Sequence, residues 1–424
     1  VRLAARVTAL ATPVFLLACV VPDGGLFRAE RYRDVHLYGV YADRFLRGEL
    51  PYRDVFVEYP PGAFAVFLPP AALPAGAYNF AFKSLMALCG IAALFAVVLI
   101  LVTLGLRGGR LYAAAGLFAL SPIAVGPISL NTYDLFPAAL TVGALAAVLG
   151  RRELLGFGLL GLAVTAKLYP LVLVPLALAF VWSTVGRRRA LESVAVLSGV
   201  VTAVLLPFAV LAPGGLWDSF QAQSQRGLQI ESLGSAVLLA AHQLGFYEAT
   251  VVRGATGAAT RDLAGSFPDA LATATSLLQV AAVLAVWLLF LREPRSPERL
   301  VLAFAAAVTA FLVFNKFVSP QYLVWLIPLV LLLPGRAGLL ASGLVAASLV
   351  LAQIWFFHYS RVFELDRITW LIVARDAALL ALYVLLLLRL KTSTPSSEKT
   401  SSQSGLRRSR ARSVAVANGS QRSA

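Results

Sequence analysis

Cysteine is almost absent from this chain of 424 residues: Cys19 and Cys89 are the only two, and both fall inside apolar stretches. A disulfide framework and a thiolate metal site are thereby excluded. Histidine occurs three times, and no carboxylate pair stands at a spacing that demands a divalent cation, so neither a metal nor a cofactor is expected. Charge is scarce as well: 13% of residues are Asp, Glu, Lys or Arg against 59% hydrophobic, which excludes a water-soluble domain with a wetted surface. Acidic residues are the rarer, 21 against 36 basic. The resulting net charge of +15 could suit nucleic acid. The basic residues, however, sit in short loops between apolar runs and in a terminal tail, where membrane topology demands them, and no nucleic-acid partner is expected. Also missing are an internal repeat, a long central cytoplasmic loop and ionisable residues midway along the apolar runs, all features that a transporter or lipid flippase uses.

What the chain has is apolar length. Arg2 and Arg6 precede a run to about Val21 that reads as a retained first helix, too long for a cleaved signal peptide. Further runs follow at about 76–106, 111–128, 132–150, 153–167, 169–186, 190–212, 270–291, 298–315, 319–334, 337–357 and 368–390. The fold expected is an all-α polytopic membrane bundle of about twelve transmembrane helices. It occupies residues 1–390, with a large first external loop at 22–75 and a second at 213–269. The tail, 391–424, is rich in Ser, Thr and Arg and reads as a disordered basic cytoplasmic segment in reach of anionic membrane lipid. Abundant Ala and an excess of Arg over Lys fit a bacterial source.

Basic residues set the orientation. Arg107 and Arg110, Arg151 and Arg152, Arg187 to Arg189, Arg292, Arg295 and Arg299, Arg336 and the tail fall on one side, with about 21 basic and about 5 acidic residues. That side is expected to be cytoplasmic, with both termini. The other side receives the unusual polar groups: Asp34, Asp54 and Glu58, then Lys167, then Arg226 and Glu231, then Lys316, Gln321 and Tyr322, and last His358. Ionisable groups at helix ends are costly in a bilayer, so their collection on one face points to a site there.

In the first loop, Leu37, Tyr38, Tyr41 and Phe45 recur at helical spacing with Asp43, Arg44 and Arg47 opposite, which predicts an amphipathic helix on the membrane surface, stopped by Gly48. Asp34 stands where an N-cap would, a role that lowers a carboxyl pKa and competes with service as a base. Tyr52, Asp54, Glu58 and Tyr59, among rigid prolines, suit either a polyhydroxylated ligand or a structural cover ion-paired through Arg53 and Arg44. Lys167 and Lys316 are either ligand cations or snorkelling lysines. Gln321 and Tyr322 either meet a ligand or satisfy backbone freed by Pro320. Asn131, Tyr133 and Asp134 read as a turn, and a lone His358 at a helix end as an interfacial group unless it assists a leaving group.

The segments "GELPYRD" and "EYPPG" after a membrane-proximal Asp34, together with "TAKLYP" (Thr165–Pro170), "RGLQIESL" (Arg226–Leu233) and "FNKFVSPQYLVWLIP" (Phe314–Pro328), resemble the integral-membrane glycosyltransferases of the GT-C superfamily. Within it the chain is most similar to glycosyltransferase family 87, the polyprenol-phosphate-mannose-dependent mannosyltransferases, over about residues 1–390. The resemblance implies a GT-C-like fold and transfer of a sugar, mannose foremost, from a polyprenyl-phosphate donor to a glycolipid or glycan acceptor. Transfer would take place with inversion, at the outer face of a bacterial cytoplasmic membrane. Asp34 matches the family's general base. Lys167, Arg226, Lys316, Gln321 and Tyr322 are the candidates for the donor phosphate. Tyr38, Tyr52, Asp54, Glu58, Tyr59, Glu231 and His358 are those for acceptor or sugar. A transporter or flippase, and a non-catalytic relative that binds polyprenyl phosphate, are the competing readings.

Overall fold

With no water in a bilayer core to satisfy backbone N–H and C=O groups, an apolar run folds as a helix, and each of the twelve runs does so at least in part. The structure is a computed structural model that describes residues 1–22, 34–254 and 260–392. It opens with α1 (Arg2–Val21), the loop helix α2 (Asp34–Leu46) and, after a 3₁₀ turn at Pro61–Ala63, the short α3 (Phe64–Ala71). Then come α4 (Tyr78–Thr103), α5 (Gly109–Val125), the single turn α6 (Ile128–Asn131), α7 (Leu135–Leu149) and α8 (Glu153–Ala166). A 3₁₀ turn at Tyr169–Leu173 leads into α9 (Val174–Thr184), followed by α10 (Arg187–Leu211). The second long loop holds α11 (Pro213–Ser224), β1 (Leu228–Gln229), α12 (Leu233–Gln243), β2 (Val251–Arg253) and β3 (Arg261–Leu263). The chain continues through α13 (Ser266–Arg292), α14 (Pro297–Val313), a 3₁₀ turn at Pro320–Trp325 and α15 (Ile327–Val330). Last are α16 (Gly335–Phe357), α17 (Tyr359–Phe363) and α18 (Thr369–Thr392).

Helices α1, α4, α10, α13, α16 and α18 are long and apolar enough to cross a membrane, and shorter apolar helices pack among them. The protein is a multi-pass membrane protein. Helix α10 buries only Ala190 and Ser193, so its apolar surface is one that lipid would cover. Two expectations need correction. The run at 319–334 is not one helix: Pro320 and Pro328 deny it backbone donors, and it folds as a 3₁₀ turn followed by one turn of α15. The bundle also carries a small antiparallel sheet in the order β1-β3-β2, whose two- and three-residue strands are too short for an alternating pattern to reveal.

Close approaches fix the first long loop over the bundle. A Cβ at Gly62 would lie 2.5 Å from the Thr165 carbonyl carbon, so only glycine lets "EYPPG" rest on the end of α8. A Cβ at Gly215 would lie 1.5 Å from the Tyr52 carbonyl oxygen, which brings α11 against the same loop. Ser219 Oγ then donates to the Val57 carbonyl at 2.6 Å and Gln223 Nε2 to that of Glu58 at 3.0 Å. The second loop is held from the other direction, since Gln229 N donates to the Lys316 carbonyl at 3.0 Å and its Oε1 accepts from Val318 N at 2.7 Å. Gly48, at φ +90°, ends α2 as its sequence predicts. Asp34 lies within the first turn of α2, and the residue before it, like the rest of 23–33 and the tail from 393, lies outside the described residues.

Candidate active site

Antiparallel neighbours bring helix ends together. Where α7 begins, α8 ends and both long loops fold back, they enclose a cavity of about 670 Å³, a size typical of small-molecule sites, about 300–1,000 Å³. Asp34, Glu58 and Glu231 bring its carboxyls, Lys167, Arg226 and Arg261 its cations, and Tyr59, Tyr133, Tyr322 and Trp325 much of its aromatic wall.

Lys167 stands in an extended backbone conformation just past α8. Its Nζ lies 2.5 Å from Asp134 Oδ1, and the same oxygen accepts from Trp325 Nε1 at 2.7 Å. The ammonium also lies 4.6 Å from the Tyr133 ring centroid, 4.7 Å from Tyr322 and 5.0 Å from Trp325, close enough for each ring's quadrupole to attract it. The 3₁₀ geometry of Pro320–Trp325 builds this wall. Side chains three apart eclipse in such a turn, so Tyr322 stacks on Trp325 at 4.4 Å, and Tyr169 stacks on Trp325 at 4.1 Å. Asp134 is therefore the buried partner of Lys167 rather than a mere turn residue.

Asp34 faces this group from α2. Burial, then the like charges of Glu58 and Asp134, push its carboxyl up to about 7, with Lys167 opposing. The depression expected of a capping carboxylate is not what the site imposes. Arg226 lies over the Phe317 ring at 3.7 Å and pairs with Glu58 at 3.1 Å through Nη2. Its Nε and Nη1 are buried with no protein partner. A cation with two idle donors in a cavity wall can hold an anion, and a carboxyl with its pKa near neutrality can take a proton.

Several other candidates lie outside the cavity. Lys316 sits outside the cavity lining and donates to the Ser224 carbonyl at 2.7 Å. Asp54 is paired with Arg53 at 2.9 Å, away from the cavity, and Glu58 pairs with Arg226 instead of Arg44, which bonds Glu49. Tyr52 and Tyr38 are packed into the loop's core, Tyr52 donating to the Tyr59 carbonyl at 2.6 Å and Tyr38 stacked on Phe67 at 4.3 Å. The exposed His358 has its Nδ1 2.9 Å from the Ile354 carbonyl and does not line the cavity. Gln321 lines it, with its Oε1 engaged by the Ser319 hydroxyl. Sequence reasoning missed Asp134, Trp325, Phe317 and Arg261. It also missed Arg375 and Asp376, ionisable residues buried within α18 that overturn the expectation of apolar runs without them.

The model of Glycosyltransferase family 87 matches residues 56–315, more than half of the chain. The chain belongs to this family. It is thus a membrane glycosyltransferase, and the segment matched by family 87 carries Glu58, Lys167, Arg226 and Glu231 of the cavity and Asp134 behind Lys167, with Asp34 and the 3₁₀ wall of Tyr322 and Trp325 outside it. The crystal structure of ArnT from Cupriavidus metallidurans bound to undecaprenyl phosphate is similar in shape. The likeness covers 91% of this chain and 77% of that one at 15% identity, with a TM-score of 0.48. A comparison with curated proteins finds no match.

Proposed function

We propose that this family 87 glycosyltransferase moves a sugar, mannose foremost, from a polyprenyl-phosphate donor to a hydroxyl of a glycolipid or glycan acceptor. The observation that carries the reading is the pairing, in one cavity, of a carboxyl poised near neutrality, Asp34, with the idle buried donors of Arg226. Asp34 takes the proton of the acceptor hydroxyl. The acceptor oxygen forms a bond to the anomeric carbon as the bond from that carbon to the phosphate oxygen breaks, its electron pair leaving on the phosphate. One displacement inverts the anomeric centre. Arg226 and the exposed edge of Lys167 offset the charge that develops on the phosphate, Gln321 and Tyr322 bond it or the sugar, and Glu58 and Tyr59 bound the acceptor path. With cations supplied by the chain, transfer is proposed to need no metal.

The charge bias of the basic loops supports the further proposal that both termini lie in the cytoplasm and the cavity at the outer face of a bacterial membrane. The test is sugar transfer from synthetic polyprenyl-phosphate mannose to membrane-lipid acceptors by the protein in nanodiscs, with and without EDTA. Transfer that persists in EDTA and is lost in Asp34→Asn supports the reading. Transfer from another lipid-linked sugar alone corrects the donor. Movement of labelled lipid across vesicles without glycosyl transfer would replace the reading with a flippase.

A further inference from the structure

The wall away from Asp34 holds a polar cluster that the chemistry above leaves unused. Glu231, between β1 and α12, is 2% exposed. The Tyr359 hydroxyl donates to its Oε1 at 2.9 Å. Arg375, fully buried in α18, donates through Nη2 to the backbone carbonyl of Glu231, while its Nε bonds Asp376 Oδ1 at 2.9 Å. The carboxyl of Glu231 is thus held at one oxygen and its backbone at another point. Its Oε2 remains buried with no protein partner, and a buried polar atom left unbonded costs about 1–3 kcal/mol. Burial pushes the carboxyl up to about 8, against the charge of Arg375 and the Tyr359 bond and with the help of Asp376. Near neutrality it therefore offers both a donor and acceptors.

The surroundings are aromatic. Tyr359 meets Phe363 edge-on at 4.4 Å and stacks on Phe356 at 5.3 Å, and all three line the cavity with Glu231. A polar pair set into rings suits a sugar, whose hydroxyls need directed hydrogen bonds and whose C–H face packs on aromatic carbon. We propose that Glu231 and Tyr359 form a second subsite in the cavity, one that binds adjacent hydroxyls of a sugar ring, with Arg375 as the positioning residue that fixes Glu231 from within the bundle. The proposal rests on the glycosyltransferase reading. Its ligand is either the donor sugar or a sugar of the acceptor beyond the reacting hydroxyl.

Saturation-transfer NMR of methyl α-mannoside and related methyl glycosides on the protein in nanodiscs tests it without turnover. Tyr359→Phe and Glu231→Leu are expected to weaken glycoside binding about tenfold each, the scale of one lost hydrogen bond, whereas Asp54→Asn, away from the cavity, leaves it unchanged. Wild-type-like signals in both subsite variants would overturn the subsite. In the transfer assay the same variants raise one KM with little change in kcat. A rise in the acceptor KM identifies the acceptor sugar as occupant, and a rise in the donor KM the donor sugar. Arg375→Lys is expected to keep more affinity than Arg375→Met, and equal losses would overturn the positioning role. Failure of the wild type to transfer any lipid-linked sugar would refute the proposed reaction, while the NMR signals continue to decide the subsite.

Discussion

Lys167 and Lys316 each follow the end of a short apolar helix and precede a 3₁₀ turn, Tyr169–Leu173 in one case and Pro320–Trp325 in the other. Their surroundings differ entirely. Lys167, its side chain 12% exposed, is paired with the buried carboxylate of Asp134 and ringed by Tyr133, Tyr322 and Trp325. Lys316 reaches the Ser224 carbonyl while its own carbonyl accepts from Gln229, so it clasps the end of α11 and the start of the sheet. One hinge supplies charge to the cavity and the other ties down the loop that covers it. A cation at a helix end is thus defined by what the neighbouring hairpin brings to it. Here that is Asp134 at the start of α7, the partner helix of the α7–α8 hairpin.

The contrast sharpens first at the group that Lys167 faces. Asp34→Asn is expected to lower kcat about 10²–10⁴-fold, the usual share of a general base, with the donor KM near the wild-type value in a nanodisc transfer assay. Lys167→Met leaves Asp134 buried and uncompensated, a loss of about 3–5 kcal/mol that thermal unfolding in detergent should register. Adding Asp134→Asn to it is expected to restore part of that stability. Arg226→Gln removes the idle donors and should raise the donor KM about 10- to 100-fold, the range for charged hydrogen bonds, with a smaller change in kcat. Lys316→Met removes the bond to the Ser224 carbonyl and is expected to cost about 0.5–1.5 kcal/mol of stability and to alter donor affinity hardly at all. A donor KM that responds to Lys316→Met as strongly as to Arg226→Gln would erase the distinction between the hinges.

Much of this was legible in the sequence. Apolar length gave the helices, period and Gly48 gave α2, and polar residues at helix ends gave most of the cavity: Asp34, Glu58, Tyr59, Lys167, Arg226, Glu231, Gln321 and Tyr322 all line it. What stayed hidden depends on which way a side chain turns where no regular period applies. Pro-broken segments have no helical phase to extrapolate, so Trp325 gave no sign of joining Tyr322, and Lys316 none of turning away. Asp134 and Lys167 are 33 residues apart, and only the hairpin makes them neighbours. Arg375 and Asp376, adjacent in an apolar run, gave no hint that Arg375 reaches the backbone of Glu231. Tyr38 and Tyr52 were read for their ring chemistry, but in a loop folded on itself an aromatic ring packs inward before it meets a ligand.

The dependence of kcat/KM on pH bears most directly on the role of Asp34. A base must be unprotonated to act, and burial with the like charges of Glu58 and Asp134 raises this carboxyl to about 7. The rate should therefore fall about tenfold per pH unit below that value and level off above it. The account predicts this acid limb near pH 7 in the wild type and its absence from the residual activity of Asp34→Asn. A limb that persists unchanged in Asp34→Asn, or one that lies in the ordinary carboxylate range, would contradict it.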